Sequence, residues 1–267
     1  MIRQFLCLCL IIFTACGTPR ESQTSTGKGK LKIMSYNIHI AVPPTKPGTT
    51  DIDAIVRAIE NQDPDIIALQ EVDVNTRRTG KINEAAIIAE KLKMNFFFAK
   101  AIDHDGGEYG VAILSKYPMS DTKIHRLTTV EGTGGEPRVM ATAKITLKNG
   151  VSLRFASTHL DAQKVSVNRE KQIAEINAIA ASETLPLIIA GDFNDQPGSA
   201  VIKKLDESFT RTCQACEPTF PVVTPRITID FIGYKPASKF KTISHTVVPE
   251  HYASDHLPVI AVLYYEF

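Results

Sequence analysis

The segments DIIALQEV (residues 65–72) and LPLIIAGDF (185–193) carry apolar side chains at consecutive positions, not at every second one. A strand with one wet face alternates, so an unbroken apolar run reads as a strand covered on both faces. LKIMSYNI (31–38) reads the same way. Such strands restrict the chain to folds in which sheets are covered by helices or by other sheets. Helical spacing supplies the covers: 51–62 places Ile52, Ile55, Val56 and Ile59 on one face, 83–93 is a second helix, and 166–182 carries Ile173, Ile176 and Ile179. Further strands are expected in 95–101, 110–115, 123–128, 139–147 and 151–159, and in the tail segments TIDFIGY, KTISHTVV and PVIAVLYYEF. The pattern implies an α/β or α+β class, with one domain over 31–267 and no internal repeat. Loops 39–50, 100–109 and 128–137 are surface segments suited to shaping a substrate groove.

Six segments share a second property: the apolar stretch ends in an acid, an amide or an imidazole. They supply Asn37; Glu71; His159 and Asp161; Asp192 and Asn194; Asp230; and Asp255 with His256. Each has a structural explanation by itself. Asn37 could cap a turn, Glu71 could pair with Arg77, and His159 could be a hydrogen-bonded core residue. Together they point to a site, because sheet-based enzymes build their sites from strand ends. Glu71, Asp255, Asn37 and Asp192 offer hard oxygen donors, which favour Mg²⁺ or Mn²⁺ over zinc. His159 and His256 offer proton transfer or positive charge near neutral pH. The chain has no nucleophile elbow, P-loop or HExxH, so the natural nucleophile is water.

Composition narrows the partners. The chain of 267 residues balances 30 basic against 29 acidic side chains. A protein that grips long nucleic acid usually has a basic surplus, which weighs against that substrate. Hydrophobic residues make up 43%, enough for a sizeable core. Residues 1–16 carry one charge, Arg3, then an apolar run from Phe5 to Phe13 that is short for a bilayer span, then Phe13-Thr14-Ala15-Cys16. This stretch resembles a bacterial lipoprotein signal with Cys16 as the lipidated residue, although Phe13 stands where such signals usually have Leu. An ordinary secretory signal and an uncleaved anchor are the alternatives. The expectation is export, a lipid anchor in a bacterial membrane, and a flexible tether over 17–30. Outside this leader the only cysteines are Cys213 and Cys216, a CxxC pair best read as a local disulfide, with free thiols, a redox motif or half a zinc site as alternatives.

The segments MSYNIH, LQEVD, STHLD, GDFND, IDFI and SDHLP resemble, in order, the motifs of the endonuclease/exonuclease/phosphatase superfamily, the DNase I-like metal-dependent phosphohydrolases. They span residues 31–260. GDFN with SDHLP is specific in combination, and each is weaker alone. The resemblance implies an α+β fold, a four-layer α-β-β-α sandwich with two mixed sheets packed face to face and helices outside. It implies Mg²⁺, with Mn²⁺ as a substitute, bound by Glu71 with Asn37. It implies that Asp192 orients or deprotonates the attacking water, that Asn194 holds the phosphate, and that His256 donates to a phosphoryl oxygen. Asp230 would hold His256 in its tautomer, and Asp255 would complete the metal or water network. His159 would contact phosphate or protonate the leaving group, with Asp161 in contact with substrate or supporting His159. Arg138, in the Gly-rich GTGGEPR loop, is a candidate phosphate clamp because guanidinium suits bidentate phosphate contacts, and a plain surface arginine is the alternative.

The expected activity is hydrolysis of a phosphate ester, by a phosphodiesterase or phosphatase acting on a lipid head group or small ester. An extracytoplasmic nuclease on DNA or RNA and a non-catalytic phosphate or lipid binder are the alternatives. No segment marks a protein partner.

Overall fold

The computed structural model describes residues 27–267 together with Met1 and Ile2. Cys16, the signal segment beyond Ile2 and the tether up to residue 26 lie outside the described residues. Two six-stranded mixed sheets form the molecule. The first contains β1 (Lys28–Asn37), β2 (Ile66–Val74), β3 (Asn95–His104), β4 (Gly107–Ser115), β11 (Phe240–Val247) and β12 (Val259–Glu266), in the order β11-β12-β1-β2-β4-β3. The second contains β5 (Met119–Leu127), β6 (Arg138–Thr146), β7 (Ser152–His159), β8 (Leu187–Asp192), β9 (Thr210–Arg211) and β10 (Asp230–Lys235), in the order β5-β6-β7-β8-β10-β9. The helices are α1 (Ile52–Glu60), α2 (Glu84–Leu92), α3 (Val167–Ser182) and α4 (Ala200–Asp206).

The unbroken apolar runs are explained by the layers. Ile66 and Ala68 of β2 enter the central core with Ile33, Phe155 and Ile188. Their neighbours Ile67 and Leu69 face Ile55, Ile59 and Ile88 of α1 and α2. In β8, Ile188 and Ala190 face the central core, while Ile189 packs with Ile173, Ile176 and Ile202 of α3 and α4. Successive strand side chains point to opposite faces, so both faces must be apolar when both are covered. The result is the expected four-layer sandwich of the α+β class.

Topology explains where the polar ends collect. Among the described residues only β1–β2 and β7–β8 pair in parallel; the first crosses over through α1 and the second through α3. Both crossovers bring two strand carboxyl ends to one edge. β8 and β10 then run antiparallel with Asp192 opposite Asp230, which returns the start of β10 to that same edge. Two details differ from the expected pattern. β1 begins earlier than the anticipated boundary: Lys28, Gly29 and Lys30, expected in the tether, pair with Glu266, Tyr265 and Tyr264. The short α4 and β9 went unforeseen. Ser199 caps α4 by accepting from the Ile202 N–H at 3.1 Å, a local signal readable as an N-cap. Cys213 and Cys216 form the local disulfide.

Candidate active site

Asn37 ends β1 and is almost fully buried. Its Nδ2 donates to Glu71 Oε1 at 3.0 Å and to Asp192 Oδ2 at 3.1 Å, while its Oδ1 accepts from the His39 N–H at 3.1 Å. The residue therefore orients two carboxylates from opposite sheets, and a ligand role is left only to the second lone pair of Oδ1. Ser254 Oγ, unforeseen from sequence, donates to the Asn37 carbonyl at 2.7 Å and ties the SDHLP segment to β1.

Glu71 is aimed by a β-bulge. The β2–β4 register shifts between Leu69 and Val72, and Glu71 sits at φ 56°. A left-handed non-glycine residue in a strand is uncommon and collects at functional sites. The bend leaves the carboxylate 23% exposed at the cleft. Burial would raise the Glu71 pKa, but the His39 imidazole 3.5 Å away and the Asn37 amide hold it far below the usual carboxylate range. Asp255, 28% exposed, faces the same space. Burial raises its pKa, partly offset by the charges of His256 and His39.

Asp192, at the end of β8, is the hub. Its Oδ1 accepts from the Asn194 N–H at 2.9 Å, and its Oδ2 lies 3.5 Å from His159 Nε2 and 3.7 Å from His256 Nε2. Burial, then the charge of Asp230, push Asp192 up to about 7. Behind His256, Asp230 Oδ2 accepts from His256 Nδ1 at 2.9 Å and from Thr219 Oγ1 at 2.6 Å. Burial works to lower the His256 pKa, but the charge of Asp230 and its hydrogen bond, with Asp192 and Asp255 beyond, raise it to about 10. The Phe220 ring covers the imidazole at 4.7 Å between centroids. Asp192, Asp230 and His256 present ligand-type atoms within 4.8 Å of one another. All three are buried, and a protonated imidazole cannot bind a cation, so this trio reads as an acid–base relay. The half-buried, cleft-facing Glu71 and Asp255 oxygens are the better cation donors.

His159, at the end of β7, has Nε2 3.0 Å from Asn194 Nδ2. The Asn194 amide is oriented by donating to the Leu160 carbonyl at 3.0 Å, so Nε2 accepts. Burial, then the charge of Arg138, lower the His159 pKa well below its ordinary value, which keeps the ring neutral. Arg138 opens β6 beside it, with Nη1 3.5 Å from His159 Nδ1 and 2.8 Å from Glu136 Oε2. It is a buried wall residue, not a surface arginine, and its Nε is buried without a partner.

Asp161 is the one expected site residue placed elsewhere. It is 1% exposed. Its Oδ1 accepts from the Glu136 N–H at 3.3 Å, and its Oδ2 accepts from Asn168 Nδ2 and the Gln163 N–H, each at 3.2 Å. A carboxylate spent on three backbone and side-chain partners beside loop 128–137 has no face for substrate; it holds the loop that leads into Arg138. Arg77 pairs with Asp105, not with Glu71.

Sequence reasoning missed His39, Thr219 and Ser254. Their only signal was position: two residues after Asn37, near the Asp230 strand, and one before Asp255.

A family model described as Endonuclease/Exonuclease/phosphatase family matches residues 34–256. Among curated proteins, the uncharacterized protein YbhP of Escherichia coli K12 is 27% identical over 224 residues, covering 78% of this chain and 86% of its own. Among solved structures, an endonuclease/exonuclease/phosphatase from Beutenbergia cavernae DSM 12333 superposes with a TM-score of 0.73 at 22% identity, over 88% of this chain and 72% of its own. A mannosyl-6-phosphatase of Bacteroides thetaiotaomicron VPI-5482 superposes with a TM-score of 0.70 at 18% identity, over 87% and 99%.

Proposed function

The chain belongs to the endonuclease/exonuclease/phosphatase family, and from that membership we propose that it is a Mg²⁺-dependent hydrolase that cleaves a phosphate ester, as a phosphodiesterase or phosphatase, by attack of an activated water. The observation that carries the reading is the buried relay Asp192–His256–Asp230 standing beside two half-buried carboxylates, all at one edge of the two sheets. Glu71 and Asp255 would hold the cation, and their hard oxygens fit Mg²⁺, with Mn²⁺ as a substitute. A bound divalent ion would polarise the phosphoryl group and stabilise leaving-group charge.

The chain's own groups do the rest. Asp192, with its pKa near 7, takes the proton from water near neutral pH. His256 carries a proton on Nε2, since Nδ1 is committed to Asp230, and donates it toward a phosphoryl oxygen. Asn194 and neutral His159 line the other side, where they fix the phosphate or serve the leaving group. Arg138 adds a guanidinium suited to phosphate oxygens. The near-balanced charge of the chain favours a small ester or lipid head group over long nucleic acid. The solved structure named as a mannosyl-6-phosphatase, of similar fold, is in keeping with a small substrate.

The test is hydrolysis by the full chain of bis-p-nitrophenyl phosphate, sugar phosphates, sphingomyelin, phosphoinositides, nucleotides and plasmid DNA. Each is run with Mg²⁺, with chelator, and with Asp192→Ala. Metal-dependent turnover lost in Asp192→Ala supports the reading. Turnover that survives either treatment overturns it, as does silence across the panel from a folded protein that binds Mg²⁺.

A further inference from the structure

No step above uses the imidazole of His39. It stands on a turn in which His39, Ile40 and Ala41 adopt φ of 47°, 49° and 51°, and none of them is glycine. Non-glycine residues in this region cost about 1–3 kcal/mol each and persist only where the surroundings over-determine them. Here they are over-determined. The His39 N–H donates to Asn37 Oδ1 at 3.1 Å, Ala41 N–H to the Ile38 carbonyl at 2.8 Å, Val42 N–H to the His39 carbonyl at 3.0 Å, and Asp51 N–H to the Ala41 carbonyl at 2.7 Å.

What the turn achieves is aim. It brings His39 Nδ1 to 3.5 Å from Glu71 Oε2 and to 3.5 Å from Asp255 Oδ1, the two half-buried carboxylates of the cleft. A charge-assisted hydrogen bond would close to about 2.7–2.9 Å. Both contacts stay longer, at a spacing suited to donor atoms that face a common ion with bonds of about 2.0–2.2 Å, and the proton that Glu71 and Asp255 favour on the ring would leave as the ion binds. The ring is 39% exposed, so it reaches the same solvent-facing space as the carboxylates.

We infer that His39 is a nitrogen donor to the cation held by Glu71 and Asp255, and that it biases this site toward a first-row transition ion such as Mn²⁺ over Mg²⁺. The inference rests on the proposed cation site above. Its chemical basis is the donor set. Mg²⁺ keeps water and oxygen ligands, whereas imidazole adds affinity for ions further along the transition series.

The experiment uses the full chain with Mn²⁺, and reads Mg²⁺ affinity from its competition with bound Mn²⁺. Loss of the free-ion electron paramagnetic resonance signal measures binding, and pulsed measurements on the bound ion detect coupling to a directly ligated ¹⁴N nucleus. Wild type, His39→Ala, His39→Asn and Glu71→Gln are compared, with thermal melts as fold controls. Asparagine tolerates left-handed φ and keeps the turn if alanine loosens it. The expected result is nitrogen coupling in wild type that is absent in both His39 variants, with Mn²⁺ affinity reduced about 10–100-fold and Mg²⁺ affinity nearly unchanged. Bound Mn²⁺ without nitrogen coupling overturns the inference and leaves the carboxylate site standing, as does coupling that persists in the His39 variants. Failure of the wild type to bind Mn²⁺, or binding unaffected by Glu71→Gln, overturns the cation site and this inference together.

Discussion

Asp192 and His256 lie within 3.7 Å of each other and are driven to opposite protonation behaviour by the same neighbour. Burial, then the charge of Asp230, disfavour negative charge on Asp192, while on His256 the attraction of Asp230 for positive charge outweighs burial, so one pKa rises to about 7 and the other to about 10. A base must be ionised to act, and a donor must be protonated. Hydrolysis should therefore rise with pH through about 7, hold a plateau, and fall as pH passes about 10. A pH–rate profile of kcat/KM on a non-ionising diester checks this; a profile flat from 6 to 8 would remove Asp192 as the base. His256→Ala should lower kcat by about 10²–10⁴-fold, the usual worth of a positioned proton donor. It should leave the circular dichroism spectrum unchanged, because the ring, though buried, bonds the Asp230 side chain and carries no backbone hydrogen bond of a sheet. Asp192, Asp230 and His256 were legible in the sequence because GDFND, IDFI and SDHLP each place a polar group where an apolar run stops. Thr219 was not, since the hydroxyl that fixes Asp230 sits 11 positions away and nothing local marks it.

At the scale of elements, the three longer helices and every strand but β9 follow from local pattern, and two of those helices carry side-chain caps: Asp51 and Asn83 accept from the N–H groups of Ala54 and Ala86. What local pattern could not yield is the path of the chain where it leaves regular structure. The Glu71 bulge and the left-handed turn at His39 contain no glycine to announce them, and long-range contacts override residue preference at both. Glu84 is a further case. It opens α2 as a first-turn acid, an ordinary helix signal, yet it is fully buried. Its Oε2 accepts from the Asp73 N–H at 2.7 Å and its Oε1 has no partner. Burial raises its pKa to about 8 against an ordinary value of 4.5. The folded state thus keeps a proton that the unfolded chain gives up, so this residue's contribution is fully present below pH 4.5 and is lost as pH rises toward 8. Glu84→Gln removes the titration and retains an acceptor for Asp73. Between pH 5 and 8, urea unfolding should show wild type losing stability relative to Glu84→Gln by on the order of 1–3 kcal/mol. Parallel curves would mean that Glu84 is ionised in the fold.

For the whole molecule, the decisive property is that charge is evenly divided while reactive groups are gathered. Thirty basic and 29 acidic residues leave no large surplus to attract a polyanion from a distance. The site, by contrast, concentrates protonated His256 and the Arg138 guanidinium within one cleft, where they act over contact distances. These two facts separate substrate classes by their response to salt. A protein that neutralises six to ten phosphates of a duplex loses about 10³–10⁵ in affinity between 50 and 200 mM salt, through counterion release. A small phosphate ester meets only the cleft, whose buried groups are screened far less than exposed ones. KM for the preferred substrate should then change by less than about tenfold over that salt range, with kcat nearly constant. A fall of a thousandfold or more would assign the cleft to nucleic acid and require a basic track across the rim loops, although the acid–base relay would be the same. Under the proposed mechanism the relay governs the chemistry and the loops above it govern the substrate, so the salt response would read the loops independently of the relay.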